Sequence, residues 1–528
     1  MMRLLLHCNH LRLGCYASFS SDFHMPKGNL KAEEFAEDVL SRLFGKEFAV
    51  KYLFEYLKEL CATSFLLESH YIDRHYLDDY ANYYARSFEA PSTACSRLHF
   101  FKTMRAGDLA SLISSAYVSV AELQETEKKL QEIYLGFVVK RPLIGAAVGR
   151  TVLKTYPGDG RRQYRVLRPY NVNIAGLKLC IEGLAYQQQD RGAAVCASTA
   201  LWSALQCVAY RAGHRTPTPC AITAAAKSPF PASHGLNDGQ IAEAISSLGY
   251  IADQFVPAEN RLLFRAKLAA SLNSQLPVIL LMTRKEKTGA GEITVGHAVT
   301  VTGYSEPGSI EDIPSGIPGI VLRMKAGSLK ILYVHDDNLG SHAHYELIDA
   351  PELNSEGYQQ LNLQRGFSPG SASKSWWQAD IWTIEAALVP KPPKLRMPIE
   401  NLLLDLVWLR KLFEAMLPGL RLSYATRFES GVRYRRGLVG RKEFDPKDMD
   451  EFQRSLSLPR YIGVISVNDE HCHLLDLILD ASEVDRNPTF PSIHAIVAQG
   501  IPKDSLPFLH LKKFATVIGE RPIIFGIT

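Results

Sequence analysis

The sequence lacks the features that would assign it at once to several common classes of protein. Its nine cysteines include no Cys-x-x-Cys pair and follow no regular spacing, which argues against a zinc finger or a disulfide-stapled secreted domain. No stretch reaches the roughly eighteen uninterrupted apolar residues of a membrane-spanning helix, so we expect no membrane association. The net charge is only +4, and this near balance does not indicate a nucleic-acid partner.

The usual signatures of nucleotide chemistry are also missing. The chain contains no P-loop, no dinucleotide-binding fingerprint and no protein-kinase motif set. What is present is an ordinary globular composition, with 46% hydrophobic and 22% charged residues over 528 positions. This length is sufficient for two or three domains, and the composition allows a sizeable core.

The N-terminal segment, residues 1–28, contains a short apolar run that superficially resembles an export signal. The run is interrupted by His7, Asn9, His10 and Arg12, whereas a signal core needs continuity. We therefore expect a disordered leader, with Met25 as an alternative start, and a cytoplasmic protein with free thiols.

The rest of the chain divides by hydrophobic pattern into four parts. Residues 29–135 carry apolar side chains at three- and four-residue spacing and predict a helical region. Residues 136–184 are rich in strand signals separated by Pro and Gly, and residues 185–390 mix helix and strand patterns. Residues 395–528 follow a Lys- and Pro-rich stretch, interpreted as a stiff linker, and predict a mixed α/β accessory domain.

The central part places three chemically useful residues in a specific order. Cys196 lies among small residues where a helix begins, and the helix dipole at such a position favours a thiolate. His297 follows on an apolar strand, and Asp336 stands at the end of the next strong strand. A nucleophilic thiol needs a base beside it and a third group that orients the base.

These three segments resemble known motifs. CASTALWSAL resembles the nucleophile helix of papain-like cysteine peptidases, in particular the bacterial peptidases that cleave leader peptides from bacteriocins. GHAVTVTGY is similar to that family's strand around the catalytic His, and VHDDNLG to the strand end that carries its catalytic Asp. The resemblance covers residues 185–390 and implies an α+β papain-like domain, in which a helix bearing the nucleophile packs on an antiparallel sheet.

The resemblance also implies the roles of individual residues. Cys196 is the expected nucleophile, His297 the base and Asp336 the residue that orients His297. The family has a Gln before the Cys that helps to bind the oxyanion; here Gln189 is the first candidate and Gln188 the second, among three glutamines seven to nine residues before Cys196. Further candidates for substrate contact are Gln188, Trp202 and Gly296. The implied substrate is a peptide or protein, and the implied reaction requires no cofactor and no metal.

Two alternatives remain open at this stage. Ala197 stands where the family usually has Gly, Asp337 stands where it usually has Pro, and a Gly- and Pro-rich insertion separates His297 from Asp336. These departures motivate an inactive papain-like fold that serves as a binding module. The large terminal regions motivate a scaffold, for example in bacterial defence or stress response. Water or an amine as acyl acceptor is not decided, and neither is the oligomeric state.

Two further clusters have simple structural interpretations. His335, His342 and His344 lie close together in sequence and invite a metal hypothesis, but no second group of ligands completes a site. We interpret them as a polar face beside the cleft. A basic stretch, RYRRGLVGRK, is interpreted as a solvated surface loop, with a substrate or phosphate contact as the alternative.

Overall fold

The computed structural model describes most of the chain beyond the N-terminal segment. The residues described are 29–157, 160–190, 196–228, 235–257, 260–289, 291–353, 359–365, 381–439, 441, 444, 449–450, 453–454, 457–470, 472–483, 491–502, 504–517 and 523–525. The predicted leader, residues 1–28, lies outside them.

The first part of the chain folds around a five-stranded antiparallel sheet. Its strands follow one another in space as they do in sequence: β1 (Leu30–Glu34), β2 (Ala62–Tyr71), β3 (Cys95–Lys102), β4 (Tyr134–Lys140) and β5 (Val148–Leu153). The helices of this part are α1 (Glu37–Phe44), α2 (Phe48–Glu59), α3 (Arg74–Asn82), α4 (Ala106–Ser115) and α5 (Val120–Ile133), with 3-10 turns at Tyr84–Arg86 and Ala116–Val118.

The structure therefore differs from the prediction of a helical region over 29–135. The helical patterns are real, but strand β1 precedes them and strands β2 and β3 lie between them. Helix α2 illustrates the cause, because Cys61, just after its end, adopts a left-handed conformation with φ of 61°. Such a residue stops a helix and reverses the chain. The apolar pattern nevertheless continues through the turn into β2, and periodicity alone does not reveal that break.

The central part contains a closed six-stranded antiparallel barrel. Its strands pair in the ring order β10 (Val278–Thr288), β11 (Gly291–Ser305), β14 (Ile331–Asp336), β15 (Gly340–Leu353), β16 (Gln359–Arg365) and β17 (Ile381–Lys391), and β17 pairs again with β10. Strand β9 (Ile251–Phe255) extends the sheet beside β17, and β6 (Arg162–Tyr164) pairs with the end of β11.

The other central elements surround this barrel. They are the hairpin β7 (Arg168–Ile174) and β8 (Leu177–Gly183), the helices α6 (Cys196–Ala212), α7 (Pro219–Ala225), α8 (Asp238–Ser247) and α9 (Arg261–Asn273), the hairpin β12 (Glu311–Pro314) and β13 (Val321–Met324), and a 3-10 turn at Lys325–Ser328. The insertion between His297 and Asp336, expected to be a loop, thus contains the β12–β13 hairpin.

Helix α6 packs on the outside of the barrel, against β10, β11, β14 and β17. Alternate residues of β10 therefore meet different neighbours. Leu280 and Met282 belong to the cluster inside the barrel, whereas Ile279 packs with α6. A strand buried on both faces needs a continuous apolar run, which explains the LPVILLM segment.

The last part forms a second sheet with flanking helices. Its strands lie in the order β18 (Ser423–Ser430), β19 (Tyr461–Asn468), β20 (His473–Asp480), β21 (Ile493–Ala498) and β22 (Ile523–Phe525), of which only the last two are parallel. The helices are α10 (Ile399–Met416), α11 (Gly431–Leu438) and α12 (Leu506–Val517). The chain is thus an α+β protein throughout its described residues. None of its described helices combines the length and apolar character needed to cross a bilayer.

The Lys- and Pro-rich stretch before α10 is not a free linker. Lys391 is fully buried, forms an ion pair with Asp253 at 2.8 Å and donates to the carbonyl of Met397 at 2.9 Å. Leu395 and Met397 are buried in the same core as the barrel. The prediction of a stiff spacer is wrong here, because composition does not show that the apolar residues between the prolines find a core to enter.

Candidate active site

Helix α6 begins at Cys196, whose side chain is partly exposed. The next three turns are almost entirely buried, because small side chains let the helix approach the barrel closely. Thr300 on β11 donates from Oγ1 to the carbonyl of Ala200 at 2.6 Å. This bond ties the first turns of α6 to the strand that carries His297.

His297 is a buried side chain on β11, next to Met282 of β10. Its Nε2 lies 3.0 Å from Oδ1 of Asp336, and the Cys196 side chain lies close enough to the ring to contribute to the raised pKa of His297. Because Nε2 serves Asp336, the ring nitrogen left for the thiol is Nδ1. The structure therefore brings Cys196, His297 and Asp336 together, although up to 140 residues of sequence separate them.

Asp336 is held by several donors at the end of β14. The Tyr345 hydroxyl donates to Oδ2, the backbone N–H of Asn338 donates to Oδ1 at 3.0 Å, and the Arg365 guanidinium lies 4.0 Å from Oδ2. Burial alone would raise the pKa of this carboxyl, but His297 and these donors hold it well below its usual range. Asp336 is thus a carboxylate at neutral pH.

The same pairing determines the charge of His297. Burial disfavours the imidazolium, but the Asp336 carboxylate, its hydrogen bond and the nearby Cys196 side chain raise the pKa of His297 well above its ordinary value. The buried ring is therefore a cation at neutral pH, and it lies beside a thiol.

A second carboxylate lies next to this pair. Asp337 Oδ1 is 3.8 Å from His297 Nε2, and neither oxygen of Asp337 makes a hydrogen bond of normal geometry within the described part of the chain. Burial and, to a smaller extent, the charge of Asp336 raise the pKa of Asp337 to about 7, although His297 opposes the shift. The site thus holds one strongly acidic and one weakly acidic carboxyl.

Trp382 covers His297, with their ring centroids 5.2 Å apart, and Arg284 in turn lies 4.5 Å from the Trp382 ring centroid. The sequence analysis missed both residues, as well as Tyr345 and Arg365. Trp382 lies 85 positions after His297, and the two meet because β17 and β11 both pair with β10. No spacing rule in the sequence contains this information.

The three glutamines before Cys196 have different environments. Gln189 donates from Nε2 to Asn338 Oδ1 at 2.7 Å, close to Asp336. Gln188 points its amide at the carbonyl of Gly145 and at Glu47, within the N-terminal part. Gln187 is buried, and its Nε2 has no hydrogen-bond partner among the residues described. A buried amide without a partner is unusual and calls for an explanation.

The two other predicted substrate contacts also differ. Gly296 is exposed beside His297, and a side chain there would meet no other atom within 4 Å. Trp202 has no exposed surface, and its indole N–H donates to His75 Nδ1 at 3.0 Å inside the core. This position does not fit substrate contact, because the Trp202 side chain is enclosed in the core and offers no surface to a ligand.

The predicted histidine face is also largely internal. His335 and His342 are buried with ring centroids 4.6 Å apart, and His342 Nδ1 bonds Thr302 Oγ1 at 2.9 Å. Among the described residues, the group whose atoms lie close enough to share a metal ion is His297, Asp336 and Asp337, within 4.8 Å of one another. The hydrogen bond between His297 and Asp336 satisfies those two groups without an ion.

The chain was also compared with known proteins. No protein-family model matches it, and no curated protein matches it.

Proposed function

We propose that this protein is a papain-like cysteine hydrolase that cleaves an amide bond of a peptide or protein. The observation that carries the proposal is the grouping of Cys196, His297 and Asp336, in which His297 Nε2 lies 3.0 Å from Asp336 Oδ1 and the Cys196 side chain lies beside the ring. A thiol beside an imidazole whose other nitrogen is held by a third group is an arrangement that activates a cysteine nucleophile.

The surroundings of the site support the same chemistry. Trp382 shields the His297–Asp336 bond from water, and a shielded ion pair is stronger than an exposed one. Asp336 receives donors on both oxygens, so its orientation is fixed before substrate arrives. Preorganisation of this kind is what distinguishes a catalytic dyad from a surface ion pair.

In the proposed reaction, the Cys196 sulfur attacks the substrate carbonyl and forms a tetrahedral intermediate. The His297 imidazolium donates its proton to the departing amine, which leaves an acyl-enzyme. His297 then accepts a proton from water as that water attacks the thioester, and the acid product leaves with the thiolate restored. Asp336 keeps Nε2 protonated and directs Nδ1 toward the thiol throughout.

The oxyanion requires N–H donors in addition. The backbone N–H of Cys196 at the start of α6 is one candidate. We prefer Gln187 as the side-chain donor, because its amide Nε2 has no hydrogen-bond partner among the described residues, whereas Gln189 is bonded to Asn338. We expect Gln187→Ala to lower turnover by about 100-fold and Gln189→Ala by less than that. Equal losses, measured as kcat on one substrate, would contradict this preference.

A groove of about 1020 Å³ supports a peptide-sized substrate. Its lining includes Gln189 and Asn338, next to Asp336, and Tyr83, Leu143 and Ile144 of the N-terminal part; Cys196 and His297 are not among its described lining residues. The Ile144 side chain is fully exposed there. Apolar side chains next to amide groups are the combination that holds an extended peptide.

A cytoplasmic location is part of the same proposal. The seven cysteines within the described residues are all free, and three of them are buried. Free thiols persist where the redox potential is reducing, which supports the cytoplasm.

The experiment is site-resolved labelling with iodoacetamide at pH values from about 5 to 9. Cys61 is exposed and free, so it serves as the internal reference in the same sample, whereas burial and Asp469 raise the pKa of Cys472 and make it unsuitable. We expect Cys196 to label at least 10-fold faster than Cys61 near pH 6, because the imidazolium beside it stabilises negative charge on the attacking sulfur. His297→Ala should remove that advantage and leave the reference rate unchanged.

A second variant separates chemistry from folding. We expect Cys196→Ala to abolish hydrolysis of a peptide library while leaving the melting temperature nearly unchanged. Wild-type Cys196 that labels no faster than Cys61 at any pH would overturn the enzyme proposal and favour an inactive binding module.

A further inference from the structure

A second cavity, remote from Cys196, has an excess of positive charge on its walls. It measures about 550 Å³ and lies between the C-terminal end of α6, the turn after α9 and strand β18. This volume is in the range of small-molecule sites, about 300–1,000 Å³. Its walls carry four arginines and a single carboxylate, Glu429; the arginines are Arg165, Arg211, Arg427 and Arg433.

These arginines are not equally neutralised. Arg427 lies 3.2 Å from Glu429 and 3.6 Å from Asp476, so two carboxylates balance it. Arg433 has only the other oxygen of Glu429, at 3.5 Å. Arg211 has no carboxylate within ion-pair distance among the described residues. One acidic group of the cavity wall is thus shared by two cations, and Arg211 is left without a counter-charge.

The unmatched cation is partly buried and meets a like charge. Arg211 donates to the backbone carbonyl of Gln275 at 2.6 Å and to the side-chain Oε1 of Gln275, and Arg433 donates to that same Oε1. Burial lowers the pKa of Arg211, and the charge of Arg433 lowers it further. Two guanidinium groups therefore converge on one neutral oxygen, a position that an anionic oxygen would fill more favourably.

We propose that this cavity binds a small phosphorylated molecule, with its phosphate groups between Arg211 and Arg433. One guanidinium group can bind two phosphate oxygens at once. Two convergent guanidinium groups therefore match a diphosphate better than they match a ligand with a single negative charge. The rest of the wall includes Leu276, Leu395 and Phe428, which offer apolar surface for the remainder of the ligand. The class expected is therefore an organic diphosphate such as a nucleotide.

This site is distinct from the proposed catalytic site. Cys196 and Arg211 are the ends of one helix, α6, and a rise of 1.5 Å per residue separates them by about 22 Å. The binding proposal consequently stands or falls independently of the hydrolase proposal.

The test is isothermal titration of the full chain with sodium pyrophosphate, ADP and citrate at low ionic strength. We expect saturable binding of pyrophosphate and tighter binding of ADP, both weakening as salt is added. Arg211→Gln should weaken each by at least about tenfold. Gln275→Glu should abolish binding and raise the melting temperature, because it places a carboxylate of the chain itself between the two arginines.

The matched control is Arg436→Gln, on the same helix as Arg433 but exposed and outside the cavity wall; it should change affinity by less than twofold. If Arg211→Gln does not fold, Arg433→Gln replaces it, since that side chain is 57% exposed. The proposal fails if the wild type shows no saturable binding of pyrophosphate or ADP, or if binding survives in Gln275→Glu. It also fails if citrate binds more tightly than pyrophosphate, or if Arg436→Gln weakens binding as much as Arg211→Gln does.

Discussion

Two pairs of buried side chains on neighbouring strands of the barrel show opposite electrostatics. His297 on β11 meets the carboxylate of Asp336, and its pKa is raised well above the ordinary value. His335 on β14 meets His342 instead; burial lowers the pKa of both rings, that of His342 to about 3, and each His335 ring nitrogen lacks a hydrogen bond of normal geometry among the described residues.

The difference teaches that burial does not determine whether a histidine is charged. All three rings are less than one-tenth exposed, so desolvation acts on each of them. Only His297 has a carboxylate partner within hydrogen-bond distance. The partner therefore makes His297 a cation suited to acid–base chemistry, while His335 and His342 remain neutral parts of the core.

The largest effect is expected from removing the Asp336 carboxylate, because this charge distinguishes the His297–Asp336 pair from the His335–His342 pair. Asp336→Asn leaves the shape of the site but takes away the carboxylate that holds His297 protonated. We expect labelling of Cys196 near pH 6 to fall by about 100-fold or more. The measurement is peptide-resolved mass spectrometry, again with Cys61 as reference.

Asp337→Asn is the matched control for that variant, since it makes the same change one residue later. At neutral pH we expect it to change labelling only a few-fold. A loss as large as that of Asp336→Asn would contradict the assignment of the orienting role to Asp336.

The same control variant has a separate effect on stability. The pKa of Asp337 is about 7 in the folded protein and about 3.9 in an unfolded chain. Because the pKa of Asp337 is raised on folding, the proton that it holds stabilises the fold. This stabilisation is fully present below about pH 4 and is lost as the pH rises toward 7. Across that pH window the free energy of unfolding of the wild type should fall by up to about 4 kcal/mol relative to that of Asp337→Asn.

Urea unfolding of both proteins at intervals from about pH 4.5 to pH 8 measures this difference. The two curves should converge at the acidic end and separate toward the alkaline end. Parallel curves would show that Asp337 ionises in the fold as readily as in the unfolded chain.

The smallest effect is expected from replacing His335 in the His335–His342 pair. His335→Leu replaces a buried ring lacking normal hydrogen bonds with an apolar side chain, which removes a desolvation cost but also ring contacts with Tyr186 and His342. We expect the free energy of unfolding to change by no more than about 1 kcal/mol and Cys196 labelling to stay unchanged. A large loss of labelling would show that the two regions are coupled.

Much of the fold was accessible from hydrophobic pattern. The helix starting at Cys196, the apolar strands around residues 280 and 300 and four strands of the C-terminal sheet were predicted, whereas β18 was not. The N-terminal sheet was not, because its strands continue the apolar spacing of the helices before them. The burial of Lys391 was not predicted either, since an ion pair with Asp253 depends on a partner 138 positions away.

The residues of the candidate site also fall into two groups, those predicted from the sequence and those that were not. Cys196, His297 and Asp336 were selected by local context, namely a small-residue helix start, an apolar strand and a strand end. Trp382, Tyr345 and Arg365 lacked any such local signal. They reach the site through strand pairing, and pairing partners in a closed barrel are set by the ring order of strands far apart in the chain.

The sequence by itself determined which residues carry reactive groups and which local element holds each of them, because helix starts and buried strands follow from short-range periodicity and propensity. Only the tertiary structure decided the charges: which carboxylate favours the cationic form of His297, which one resists ionisation, and that Arg211 of the second cavity has no carboxylate at ion-pair distance among the described residues. Electrostatic energies depend on distances of a few ångströms and on burial, and chain spacing encodes neither of them.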